Sequence, residues 1–192
     1  MTATLPQNLL GKVYHRVVVE PGDHNDRDDG GGVDVVHLPI GGAFLAAARL
    51  NLDSRGSLVE VFRAAWTRHR GGERVAQAYL STTYADVVKG WHLHREQTDR
   101  FACVAGRVVV ALYDLRPDGH PSVVEVALSA QYPQLLVIPP GVAHGWSNPG
   151  PGDATILNLV SHEYDGSDEY RRPADRGPDV GVDYDWRHRR DG

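Results

Sequence analysis

Gly90-Trp91-His92-Leu93-His94-Arg95-Glu96-Gln97-Thr98-Asp99 opens the most regular part of this chain, and Pro139-Pro140-Gly141-Val142-Ala143-His144-Gly145-Trp146-Ser147-Asn148 answers it downstream. Between and beyond them stand short apolar runs rich in branched residues: Phe101 to Val104, Val108 to Tyr113, Val123 to Leu128, Leu135 to Ile138 and Thr155 to Val160. Gly106-Arg107, Arg116 to His120, Gln131 to Pro133 and Pro149 to Asp153 punctuate them. Many short strands broken by turn residues at this spacing predict an all-β sandwich or barrel. Glycine (21) and proline (12) are frequent and long helical periodicity is scarce, so a few short helices or turns are expected, at the ends.

Working outward, Val13 to Glu20 reads as a strand and Asp23 to Asp34 as a polar, glycine-rich loop. That loop lacks the closing glutamate of a calcium site and reads as solvated. Leu45 to Leu52 predicts a strand, Asp53-Ser54-Arg55-Gly56 a turn, and Leu58 to Trp66 a second strand or short helix. Val75 to Ser81 alternates weakly. The tail from Asp165 is charged, but Tyr184 and Trp186 predict that it folds back and packs. At 192 residues without an internal repeat, the chain suits one domain over 1–192: a core of about 45–165, an N-terminal strand and loop over 1–44, and a packing tail over 166–192.

The hydrophobic fraction of 41% and charged fraction of 23% are those of an ordinary globular chain. A net charge of -5 gives no basic field for nucleic acid. No run reaches the ~18 apolar residues of a membrane span. The single cysteine, Cys103, rules out an internal disulfide and lies in an apolar run, as an inert buried thiol does. Met1 to Leu10 has no signal-peptide pattern, so a cytoplasmic location is expected.

The chemistry lies in the histidines. Residues i and i+2 of a strand share a face, so His92 and His94 point together. Asp99 or Gln97 follows from the next segment, and His144 emerges from the Pro139-Pro140-Gly141 turn onto a strand antiparallel to the first. Three imidazoles and a carboxylate inside one barrel make either a metal site or an acid–base pocket.

The pattern His92-x-His94-x4-Asp99-x6-Gly106 with Pro139-x-Gly141-x2-His144-x3-Asn148 resembles the paired motifs of the cupin superfamily, with Asp in place of the usual Glu. That resemblance implies a jelly-roll barrel. For its metal-binding members it implies ligands at His92, His94, Asp99 and His144, holding a divalent metal such as Fe, Zn, Ni or Mn.

A closer resemblance covers roughly 45–165. Asp53-x-Arg55-Gly56-x-Leu58-x-Glu60, Gln77-x3-Ser81, Lys89-Gly90-x-His92, Asp114-Leu115-Arg116 and Ile138-Pro139-x-Gly141-Val142-Ala143-His144-Gly145 are similar to the dTDP-4-dehydrorhamnose 3,5-epimerase family. The resemblance implies a homodimer that works without a metal and moves protons beside the ketone of a nucleotide-linked 4-keto-6-deoxy sugar. It makes His92 the base, puts Arg55 and Glu60 at the nucleotide end, and sets Lys89 where the family usually has a phosphate-binding arginine. Arg100 falls near a family lysine that stabilises the enolate. Gln77 and Asn158 stand at positions lining the substrate pocket. Trp91 and Trp146, which flank the two histidine motifs, either fill the barrel core or stack on a sugar or base.

The departures from the family are specific. Its proton-donating tyrosine falls at Asn158, and Tyr113 and Tyr164 are candidates to replace it. Its asparagine two residues after the motif glutamine is Tyr79. For the aspartate that pairs with the histidine, Asp175, Asp179 and Asp183 are candidates. His94 replaces a glutamine, and the short His-x-His turn is similar to related sugar-nucleotide 3,4-ketoisomerases, where two histidines shuttle the proton. Three functions are therefore expected in turn: an isomerase using His92, His94 and Arg100; a metal-dependent cupin enzyme; and a sugar-binding cupin without turnover.

Overall fold

Branched and aromatic side chains recurring at every second position build two facing sheets. The computed structural model describes residues 15–17, 26–27, 34–48, 50–63, 74–119, 122–177 and 184–187. Its strands are β1 (His15–Val17), β2 (Asp26–Arg27), β3 (Asp34–His37), β4 (Phe44–Ala47), β5 (Leu50–Asp53), β6 (Gly56–Val59), β7 (Gln77–Thr83), β8 (Val88–Leu93), β9 (Asp99–Ala105), β10 (Arg107–Asp114), β11 (Val124–Ser129), β12 (Gln134–Ile138), β13 (Val142–Ser147), β14 (Ala154–Val160) and β15 (Tyr170–Arg171). One sheet runs β1-β11-β10-β13-β8-β15 and the other β2-β3-β4-β12-β9-β14-β7, while β5 and β6 form a separate hairpin. This is the jelly-roll architecture that the cupin resemblance implies.

The pleat divides every strand into two faces. Leu45, Phe101, Val110, Leu112, Leu136 and Ile156 meet between the sheets with Trp146 in the main core. Phe44, Ala102, Leu135 and Val137 alternate with them and face the outer side of the seven-stranded sheet, where Val61, Phe62 and Val75 cover them. Outside the six-stranded sheet, Trp91, Ala111 and Ala143 pack with Tyr184 and Trp186, so the tail folds back as its aromatics predicted. Each large apolar side chain buried this way contributes roughly 1.5–3 kcal/mol.

Several sequence expectations change. No helix occurs among the described residues, and none is therefore long and apolar enough to cross a membrane. The strand expected over Leu45 to Leu52 divides at Ala48, whose N–H turns to the Pro133 carbonyl and separates β4 from β5. Asp26-Arg27, read as loop, pairs with β3. Part of the expected Leu58 to Trp66 element lies outside the described residues.

Glycines set the geometry at two strand junctions. Gly106, at φ 68°, turns β9 into β10, and a Cβ there would stand 2.7 Å from the Asp153 carbonyl oxygen. Gly90 and Gly145 let β8 and β13 approach so closely that a Cβ on Gly90 would lie 2.9 Å from the Gly145 Cα.

Candidate active site

The close approach of Gly90 and Gly145 coincides with a β-bulge. His144 pairs with His92 and Trp146 with Lys89, so two steps along β13 answer three along β8. The extra residue re-aims the strand. Lys89, His92 and His94 all line the space between the sheets; Trp91 borders it too, but its ring packs on the outer face against Tyr184 and Trp186 at ring distances of 5.6 and 4.9 Å.

That space is a cavity of about 900 Å³. β7 supplies Gln77, Tyr79 and Ser81; β9 supplies Asp99 and Phe101; β13 supplies His144 and Trp146; the tail supplies Tyr164, Asp168, Glu169 and Arg171. His92 stacks on Trp146 at 5.7 Å and on His144 at 5.9 Å. Its Nδ1 lies 3.7 Å from Glu169 Oε1, and Arg171 Nη2 holds the same oxygen at 2.6 Å. Burial, with His144 beside it, pushes the His92 imidazole down to about 4 against the pull of Glu169. It is therefore a neutral base at pH 7.

His94 and His144 are fixed differently. A carbonyl oxygen only accepts, so His94 Nδ1 donates to Asp168 O at 3.0 Å and His144 Nδ1 to Val142 O at 3.2 Å. Their Nε2 atoms are left as acceptors, each 3.8 Å from Asp99 Oδ2. Burial lowers His144 from its ordinary value, although Asp99 pulls the other way. Asp99 Oδ1 accepts from Gln97 Nε2 at 3.1 Å and from Asn158 Nδ2 at 2.6 Å. The ligand atoms of His94, Asp99 and His144 lie within 4.8 Å of one another, a spacing that fits one divalent ion; His92 is not part of this group.

Asn158, expected to line the pocket, instead lies behind the opposite wall, 2% exposed and not itself among the lining residues. Its Oδ1 accepts from the Arg100 backbone N–H at 3.0 Å, which fixes the amide's orientation. Its Nδ2 hydrogens go to Asp99 and, at 2.8 Å, to the Tyr79 hydroxyl. Further along the same wall, Lys89 Nζ donates to Ser81 Oγ at 3.0 Å and to Thr82 O at 2.6 Å, and burial lowers its pKa. Gln77 Oε1 accepts from the Tyr164 backbone N–H at 2.7 Å.

Other expected residues fall elsewhere. Arg100 alternates with Asp99 and Phe101 and so faces the outside of the seven-stranded sheet; its Nη1 donates to the Leu159 carbonyl at 3.3 Å and its guanidinium lies 6.0 Å from the Phe62 ring. It cannot meet an enolate in the cavity. Arg55 pairs with Asp53 at 2.6 Å in the β5–β6 turn, and Glu60 pairs with Arg63 at 2.6 Å; neither lines the cavity of its own chain. Tyr113 packs on the outer face with Trp91. Asp175 lies beside Ala174, Tyr184 and Trp186, away from His92, and Asp179 and Asp183 lie outside the described residues.

The carboxylate that meets His92 is Glu169, which the sequence reading missed. Asp168 beside it accepts from the backbone N–H groups of Arg95, Glu96 and Gln97 at 2.8, 3.2 and 3.1 Å. Burial raises the Asp168 carboxyl, but those three donors outweigh it and hold the group below its ordinary value. The only sequence signal was a pair of acids ahead of a short strand, more than 70 residues from its partners.

A family model described as dTDP-4-dehydrorhamnose 3,5-epimerase matches residues 37–191. A probable low-salt glycan biosynthesis epimerase of Haloferax volcanii is 35% identical over 133 residues, 66% of this chain and 83% of that relative. The spore coat polysaccharide biosynthesis protein SpsL of Bacillus subtilis is 36% identical over 120 residues, 59% of this chain and 76% of the relative. Among solved structures, the RmlC epimerase of Mycobacterium tuberculosis superposes with a TM-score of 0.68 at 26% identity, covering 74% of each chain.

Proposed function

Because the chain belongs to the dTDP-4-dehydrorhamnose 3,5-epimerase family, we propose that it epimerises a nucleotide-linked 4-keto-6-deoxy sugar by moving a proton α to the ketone. The carrying observation is His92: a half-buried imidazole, neutral at pH 7, that lines a cavity of about 900 Å³ with Glu169 beside its Nδ1. Glu169 at Nδ1 leaves Nε2 to accept the proton, and the carboxylate stabilises the imidazolium that forms. Lys89, held at the Ser81 end of the cavity, supplies positive charge for the diphosphate. The Trp146 face against His92 keeps the base in one orientation.

The test is incubation with dTDP-4-keto-6-deoxyglucose in D2O. Deuterium enters C3, C5 or both if His92 is the base. Tight binding without exchange would leave a sugar-binding barrel in place of the enzyme.

We also propose a cytoplasmic homodimer. Arg55 and Glu60 do not line the cavity of their own chain, yet the resemblance puts them at the nucleotide end. A second copy whose β5–β6 hairpin reaches across would reconcile the two. The exposed Leu52 and Leu58 on that hairpin are the apolar surface such an arm would bury. Light scattering that gave a monomer at working concentration would remove this arrangement. The lone thiol, Cys103, is free and buried, which suits a reducing compartment.

A second reading rests on the convergence of His94, Asp99 and His144. Two Nε2 acceptors and a carboxylate oxygen are the donor set of a first-row divalent ion, which would supply Lewis acidity beside the ketone. The four-ligand set expected from the cupin resemblance shrinks to these three. Metal content of the purified protein separates the readings: one equivalent bound per chain favours the second.

A further inference from the structure

We infer that Tyr79 is the acid that returns the proton, taking the place of the tyrosine missing at position 158. This rests on the epimerase reading. The resemblance puts a tyrosine at 158 and an asparagine at 79, and this chain carries the two exchanged. The exchange is not arbitrary, because Tyr79 and Asn158 are direct partners in the β7–β14 ladder. Either member of such a pair can present a hydroxyl to the same cavity.

The geometry suits an acid acting against His92. Epimerisation needs the proton removed from one face of the carbon and delivered to the other. His92 enters the cavity from β8 in the six-stranded sheet, and Tyr79 from β7 in the seven-stranded sheet. The Lys89–Ser81 hydrogen bond fixes where the two strands face each other. The chain reverses in the short turn after Thr83, so stepping back from Ser81 to Tyr79 moves along the cavity in the same sense as stepping from Lys89 to His92.

The hydroxyl is also prepared for the step. Asn158 donates to its oxygen at 2.8 Å, and among the described residues no acceptor takes its hydrogen, which is left for the substrate. Burial, then the charges of Asp99 and Glu169, push the phenol up to about 12, so it holds its proton at neutral pH. With 42% of its surface exposed, it can be reloaded from water.

The step balances. His92 takes the α-proton, the C–H electron pair moves into the enolate, and an N–H bond forms. The enolate carbon then takes the hydroxyl proton of Tyr79 on the other face, leaving a phenolate to which Asn158 donates. Cavity water carries a proton from the imidazolium back to the phenolate.

The experiment follows dTDP-4-keto-6-deoxyglucose in D2O with wild type, Tyr79→Phe, Tyr164→Phe and His92→Asn, each checked for folding by circular dichroism. Tyr79→Phe loses inverted product by at least about 100-fold, yet still washes deuterium into recovered, uninverted substrate through His92. His92→Asn loses both. Wild-type inversion with Tyr79→Phe turning over within threefold of it overturns the assignment alone. So does loss of inversion in Tyr164→Phe but not in Tyr79→Phe. Wild type that exchanges nothing overturns the epimerase reading and the assignment with it.

Discussion

Tyr79 and Asn158 face each other across the β7–β14 ladder, and the Asn158 amide donates to the Tyr79 hydroxyl at 2.8 Å while accepting from the Arg100 N–H at 3.0 Å. Asn158 is therefore both a structural and a positioning residue. Asn158→Ala removes the side-chain acceptor of the Arg100 backbone N–H and one of the two donors to buried Asp99, which keeps Gln97, a loss of roughly 1–3 kcal/mol. Urea unfolding measures this. The same variant slows inversion, but in a Tyr79→Phe background it has no further effect on kcat. A full additional loss in the double variant would mean that Asn158 acts through some other group.

Glu169 reaches His92 Nδ1 at 3.7 Å from the position just before β15, the tail strand that pairs Arg171 with His92. Glu169→Gln keeps the shape and removes the charge. The imidazolium forms only after proton abstraction, so the loss falls on kcat, by about 10- to 100-fold, with KM nearly unchanged. Equal losses in both constants would point to a disturbed pocket instead.

The strands were legible because alternating branched residues and turn punctuation act over a few neighbours. Phe101 to Val104 and Val108 to Tyr113 each lie within one observed strand, β9 and β10. The faces were less so. The i, i+2 rule brings His92 and His94 together, but the bulge opposite Gly145 also turns Lys89 inward and Trp91 outward, and no single strand's sequence encodes a register against its partner. Arg100 shows the same limit: a shift of one residue along β9 moves a side chain from the cavity to the outer face. Glu169 and Asp168 were invisible because what places them is tail packing, a contact between distant segments with no spacing rule.

The bulge itself is testable. A Cβ on Gly145 would stand 2.8 Å from Trp186 and 2.9 Å from the Lys89 carbonyl oxygen. Backbone cannot give way as a flexible side chain would. Gly145→Ala is expected to lose about 1–3 kcal/mol of stability and to raise KM, since it shifts Lys89 and His92 together. Thermal unfolding and steady-state rates check the two effects. A variant as stable and active as wild type would show that the close approach has no bearing on the site.

His92 also sets a pH dependence of stability. Its folded value, about 4, lies below the ordinary histidine value near 6.5, so between these the unfolded chain binds the extra proton. Stability from this group is full above pH 6.5 and is lost as the pH falls towards 4. The contribution is on the order of 2–3 kcal/mol. His144, lowered by burial, acts with the same sign, so the comparison must be made with His92→Asn alone. Urea midpoints of wild type fall more steeply from pH 6.5 to 4 than those of the variant; parallel curves would contradict the lowered, neutral state of His92.

The node of His94, Asp99 and His144 brings three acceptors to one point, because both Nδ1 atoms are committed to backbone carbonyls and both Nε2 atoms face Asp99 Oδ2 at 3.8 Å. Such a point accommodates a proton, a water or a cation. His92 stands outside it, paired instead with Glu169, and Tyr79 reaches the node only through Asn158. Base and acid can therefore complete the proton transfer without an ion in the node. Protein stripped with a chelator is accordingly expected to exchange deuterium into the substrate within about twofold of the untreated rate, a difference of less than about 0.5 kcal/mol in barrier. A loss of tenfold or more, restored by one equivalent of Zn, Fe, Ni or Mn, would instead make the ion part of the reaction and His94 and His144 its ligands.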